Sequence, residues 1–143
     1  MPNIYFSKKD RKFIQERAKF RCEYCQILEA YVQQFVSEHI IPMSKDGSSN
    51  LENIANACGA CNNHKYNKTE GFDIVTKKNF PLFNPRKDSW LDHFSWNEDY
   101  RLILGITPVG RVTIEQLQLN RSKLLNLRDL LILGGKHPPK DLL

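Results

Sequence analysis

The apolar positions of this chain change their pattern several times, and each change marks an element. From Lys8 to Lys19 the apolar residues are Phe13, Ile14 and Ala18, with Lys8, Lys9, Arg11, Lys12, Arg17 and Lys19 on the other faces. That spacing predicts a helix with a narrow apolar stripe and a basic surface, able to lie along phosphates or simply to face water. Ser7 ahead of it and Asp10 three residues later resemble a capping box in acidic form. Tyr31 to Ile41 is rich in β-branched and aromatic residues and stops at Pro42, which predicts a strand. Met43 to Asn50 reads as a loop and Leu51 to Ile54 as a short turn. The uninterrupted polar run from Asn62 to about Lys68 predicts a short helix.

The second half follows the same logic. Pro81 and Pro85 exclude a regular element over Phe80 to Arg86. Trp90, Phe94 and Trp96 form an aromatic group expected in the core, covering one side of the strand–loop–helix unit. Arg101 to Ile106 predicts a strand, followed by a turn through Pro108-Val109-Gly110. Thr113 with Gln116 reads as a further capping box. From there Ile114, Leu117, Leu124, Leu127 and Leu131 keep helical spacing until Gly134-Gly135, with Asn120 as the point where the run would divide into two helices.

Composition narrows the class. With 143 residues, 41% hydrophobic and 26% charged, the chain fits one soluble globular domain and not two large ones. A net charge of +5 suits a polyanionic partner without requiring one. The first ten residues contain no apolar run of the signal-peptide kind, and no stretch is apolar for long enough to span a membrane. All four cysteines fall into two pairs, Cys22-x-x-Cys25 and Cys58-x-x-Cys61. In a chain without a secretion signal this pattern points to a metal in a reducing cytoplasm rather than to disulfides. Four thiolates complete a tetrahedral zinc shell, so such a zinc ion folds the chain and does no chemistry.

Between the pairs lies Glu38-His39, and directly after the second lies Asn62. A neutral imidazole can take a proton from water, and a hard divalent cation such as Mg²⁺ or Mn²⁺ needs only one or two protein ligands, which Glu38 and Asn62 would supply. Neighbouring side chains on a strand point to opposite faces, so a cation near both Glu38 and His39 requires a twist or a strand end.

Taken together, Cys22-x-x-Cys25, Glu38-His39-Ile40-Ile41-Pro42, Asn53 and Cys58-x-x-Cys61-Asn62-x-x-Lys65 closely resemble the HNH endonucleases. The resemblance implies an α+β fold built on a ββα-metal (His-Me finger) unit, stapled by one structural zinc and extended by extra helices and a short β segment. It implies one domain over 1–143, with a core at about 20–68 and an extension at about 80–135. By the same resemblance His39 is the general base, and Glu38 and Asn62 hold the catalytic cation, Glu38 standing where aspartate is common. Asn53 orients the histidine loop, and Lys65 touches the phosphate backbone. His64 is a further candidate nucleic-acid contact. Arg86 and Arg111 are weaker candidates, and His93 reads as a packing histidine. The expected substrate is DNA, with RNA left open; one site per chain implies dimerisation or two visits for a double-strand cut. The alternatives are a non-catalytic zinc-knuckle nucleic-acid-binding module and a zinc-stapled protein-interaction domain. Neither gives a reason for Glu38, His39 and Asn62 to occur together.

Overall fold

The computed structural model describes residues 6–32 and 34–143. Met1 to Tyr5, part of the stretch read above for a signal peptide, and Gln33 of the predicted strand lie outside the described residues. The chain forms two compact units: residues 1–69 with 84–87, and residues 70–83 with 88–143.

The first unit opens on helix α1, Lys8–Arg17, whose Ser7 hydroxyl accepts a hydrogen bond from the Asp10 amide at 3.0 Å, as the capping pattern predicts. Ile14 is fully buried, while Phe13 is 47% exposed with the Arg17 guanidinium over its ring, so the apolar stripe is narrower than the spacing suggests. The predicted strand is shorter than expected. Glu29–Tyr31 forms a turn of 3-10 helix, and β1 runs only from Phe35 to His39. It pairs antiparallel with β2, Ile54–Cys58, placing His39 opposite Ile54 and Glu38 opposite Ala55. Helix α2, Gly59–Lys65, follows directly and packs against both strands.

Strand β2 falls where the sequence pattern predicts only the end of a short turn. All five of its residues are buried, so it lacks the alternation that identifies a half-exposed strand. Its central Asn56 is fully buried and saturated. It accepts from Arg11 at 2.8 Å and donates to the Arg21 carbonyl and the Glu29 carboxylate, both at 3.1 Å. Arg11 and Arg17 therefore turn inward, Arg17 donating to the Ile54 carbonyl at 2.7 Å. The exposed cations of α1 and its end are Lys8, Lys9, Lys12 and Lys19.

The second unit contains two antiparallel hairpins, three α-helices and a closing turn of 3-10 helix at Lys140–Leu142. β3, Glu70–Asp73, pairs with β4, Lys78–Pro81; β5, Phe94–Trp96, pairs with β6, Ile103–Gly105. β4 overlaps the segment read as irregular, and Pro81 is tolerated because it is the last residue of a strand with only one neighbour. α3, Trp90–His93, leads into β5. Trp90 and Phe94 are buried and Trp96 half-buried, with Trp90 5.0 Å from Phe94 and 5.2 Å from Trp96 between ring centres. The group belongs to this second unit rather than to the strand–loop–helix unit that it is expected to cover.

The capping box at Thr113 is corrected. Helix α4 runs from Pro108 to Leu117, with Thr107 as its cap and proline in its first turn. The Pro108–Gly110 stretch is thus helix rather than turn, and Thr113 lies inside it, donating to the Val109 carbonyl at 2.7 Å. Gln118, in the left-handed region, ends α4, and α5 spans Ser122–Leu133. Asn120 sits in the break, where its amide bonds both backbone groups of Ile103 at 2.9 Å. Arg128 is a fully buried member of the otherwise leucine-lined face, donating to the Arg101 and Leu119 carbonyls and to Asn120.

Candidate active site and zinc site

The four cysteine sulfurs, all buried, lie within 4.8 Å of one another and no disulfide links them. Zinc with bonds of about 2.3 Å at tetrahedral angles sets its sulfurs about 3.8 Å apart. Cys25 and Cys58 are at 3.8 Å. In each turn the last cysteine's amide faces the first sulfur, at 3.5 Å for Cys25 to Cys22 and 3.4 Å for Cys61 to Cys58. Burial raises the Cys22 thiol well above its ordinary value, while the Cys58 sulfur, facing Cys22, Cys25 and Cys61, falls far below its own. Residues Cys22, Cys25, Cys58 and Cys61 therefore fit a zinc ion, whose part would be to tie the Cys22 turn to the β2–α2 junction.

His39 ends β1, half-buried, with Nε2 3.1 Å from the Ser49 hydroxyl and its ring 6.3 Å from that of Phe6. Burial lowers its pKa below the ordinary 6.5, and the positive charge of Lys65 lowers it further, so the neutral base is favoured at neutral pH. The segment after it is fixed by Asn53. That side chain accepts from the Ile41 amide and donates to the Ile41 carbonyl, both at 3.0 Å, and donates to the Ser48 carbonyl at 2.7 Å. The loop folds back so closely that a Cβ on Gly47 would lie 1.7 Å from the Ile41 carbonyl oxygen, so no other residue fits there. Ser49 escaped the sequence reading because a serine in a polar loop carries no signal until the loop's path is known.

Glu38 departs from the expectation. It is 5% exposed, points away from solvent, accepts a very short hydrogen bond from the Tyr24 hydroxyl, and forms an ion pair with Lys65 at 3.1 Å. Burial raises its pKa, while Lys65 and the Tyr24 hydrogen bond pull it down. The same Lys65 ammonium donates to the carbonyls of His39 at 3.2 Å and Ile40 at 2.9 Å. Lys65 is therefore corrected from a phosphate contact to a buried cation, 1% exposed, that holds the end of β1. A divalent cation on Glu38 would share the carboxylate with that ammonium, so the residues do not fit a resident cation there. Among the described residues, the four cysteines are the sole cluster of three or more cysteine, histidine or carboxylate groups placed to bind a metal.

Asn62 is half-buried on α2, beside the cysteine turn, and no hydrogen bond joins it to His39. His64 is exposed on the same helix. Arg86 is closed off by a short ion pair to Glu23 and a hydrogen bond to the Ile54 carbonyl at 3.3 Å. Arg111 is paired in two-pronged fashion with Asp73 at 2.9 and 3.0 Å, so neither arginine is open to phosphate. His93 bonds Thr107 at 2.6 Å, the packing role read for it.

The burial of the Glu38–Lys65 pair sets its energetic weight. Breaking such a pair from one side costs about 3–5 kcal/mol, because the remaining charge is stranded. Lys65→Met is expected to lose stability in that range in urea unfolding, and the double variant Glu38→Gln/Lys65→Met to lose less. A Lys65→Met protein as stable as the parent would show that the pair does not hold the strand.

Residues 22–68 match the profile of the family described as HNH endonuclease. The match covers 47 of the 143 residues and contains both cysteine pairs and the Glu38–Asn62 stretch. This segment is therefore similar to the HNH endonuclease family, the family that its motifs resemble. No curated protein matches the chain, and no solved structure does. Among the described residues, no helix is long and apolar enough to cross a membrane.

Proposed function

We propose that this protein is an endonuclease that hydrolyses phosphodiester bonds in DNA, with His39 as the general base. The observation that carries the reading is the state of His39: half-exposed at a strand end, favoured as the neutral imidazole, and held by Ser49 while Asn53 pins the loop that follows. In this reading the β1–β2–α2 unit is the ββα-metal fold and zinc on the four cysteines keeps it folded. The chain works as one nuclease over 1–143, in a reducing cytoplasm. His39 takes a proton from water as the new oxygen–phosphorus bond forms and the ester oxygen leaves. Asn53 and Ser49 are positioning residues, and Asn62 and His64 face the nucleic acid.

The test is incubation of supercoiled plasmid with the protein and Mg²⁺, Mn²⁺ or EDTA. Relaxed or linear product is expected, and its form separates nicking from double-strand cutting. The pH profile adds a second measurement. The base must be neutral, so the rate rises with pH through the His39 pKa, and the lowered value places that acid limb below pH 6.5. An acid limb above 6.5 would rule out His39 in the environment described.

One observation favours a second reading, a non-catalytic zinc-knuckle module that binds nucleic acid. Glu38 is closed against Lys65 and Tyr24 instead of standing open beside His39. DNA binding without cleavage under every metal condition would put that reading first.

A further inference from the structure

The β3–β4 hairpin of the second unit ends in a tip whose turn is set by Asp73 but whose exposed residues turn chemistry does not call for. Tips are ordinarily built of glycine, proline, asparagine, aspartate or serine, whereas here the sequence is Ile74-Val75-Thr76-Lys77. Ile74 is 73% exposed and Val75 66%, with Phe72 at 51% on the strand leading to them. These side chains gain little from folding.

The tip is nonetheless firmly held. Asp73 accepts from the Thr76 amide at 3.0 Å and hydroxyl at 2.7 Å, and its carbonyl accepts from the Lys77 amide at 2.8 Å. From below, Arg111 of α4 grips the same carboxylate with two nitrogens. A Cβ on Gly71 would meet Val112 and Gln116 of α4 at 3.0 Å, so the hairpin lies tight on that helix. Because Arg111 pairs with Asp73, the charges left facing outward beside the tip are those of Lys77 and Lys78, both exposed.

We propose that this hairpin is a wedge for duplex DNA: Ile74 and Val75 enter between base pairs from the minor groove, and Lys77 and Lys78 contact the flanking phosphates. The proposal rests on the nucleic-acid reading above and gives it a second contact surface. Three features favour this occupant. Minor-groove wedges are apolar side chains, isoleucine among them, that unstack a base step. β-branched side chains on a braced turn have few rotamers to lose on insertion. Two lysines beside the tip, with the nearest acid paired, complement a polyanion. Even with Phe72 counted beside Ile74 and Val75, three exposed side chains present too little area for a stable protein interface, which needs on the order of 1,000 Å².

The experiment uses the full-length His39→Ala protein and a duplex carrying 2-aminopurine at a pyrimidine–purine step. Binding is expected to raise the fluorescence of the unstacked base. Ile74→Ser/Val75→Ser should abolish that rise and weaken binding on the order of tenfold, with the salt dependence unchanged. Lys77→Gln/Lys78→Gln should reduce the slope of log affinity against log salt by about 2. The tip side chains are exposed, so thermal unfolding of both variants should match the parent.

A serine variant that binds and unstacks as the parent does would overturn the proposal. So would a tip that binds anionic phosphatidylserine vesicles but not the duplex, or a self-association in sedimentation that the serine pair abolishes while DNA binding is unaffected. Unstacking by a wild-type protein that never cleaves would sink the nuclease reading alone. Cleavage with no unstacking would sink the wedge alone.

Discussion

Replacing His39 with alanine is expected to lower phosphodiester cleavage by about 10²–10⁴-fold, the usual contribution of a general base. Zinc content and unfolding temperature should stay at parental values. The reasoning is local. His39 is half-buried, makes one side-chain hydrogen bond, to Ser49, and lies at the end of β1 rather than in its middle. Its backbone carbonyl, which Lys65 engages, survives the substitution. Ser49→Ala should lose less, since the hydroxyl orients the ring without reacting. Parental cleavage by His39→Ala would remove the histidine from the mechanism; loss of cleavage together with loss of zinc would mean that the residue had been structural.

The largest effect on stability is expected from the metal. Structural zinc contributes about 10–16 kcal/mol in small peptide models, against a total domain stability of about 5–15 kcal/mol. Stripping the zinc with a strong chelator, or replacing Cys58 with serine, should therefore unfold the first unit. The readout is amide hydrogen exchange. Protection over β1, β2 and α2 should vanish, and the untreated protein should carry one zinc per chain by elemental analysis. Retained protection in a zinc-free protein would show that packing around Ile14, Tyr24 and Ile54 suffices alone.

The physical reasons behind the sequence reading differ from element to element. The four-cysteine cluster is legible because cysteines at that spacing admit few uses, and Ser7 is legible because capping is a local matter. Asn53 was named from resemblance, and its grip on Ile41 and Ser48 is a fact of loop path. Glu38 and Lys65 are illegible in the sequence for one reason: a carboxylate and an ammonium 27 residues apart look like two surface charges until β1 and α2 meet and bury them against each other. β2 escaped because burial on both faces erased its alternation. Thr113 was mistaken for a cap because Thr107, followed by Pro108, supplies the true one six residues earlier.

The segment Asn84–Lys87 is grouped with the first unit although the chain before and after it is grouped with the second. Its Arg86 is the counter-charge of Glu23, a residue inside the first cysteine turn whose carboxylate also accepts from the Asn56 amide. A fragment ending at residue 69 would contain all four cysteines and His39, yet it would leave that acid without Arg86. The segment that matches the HNH profile is thus not a cassette that can be cut out at its own borders. Grafting it elsewhere requires carrying along a tetrapeptide encoded fifteen positions downstream, or rewriting Glu23 so that the tetrapeptide is no longer needed.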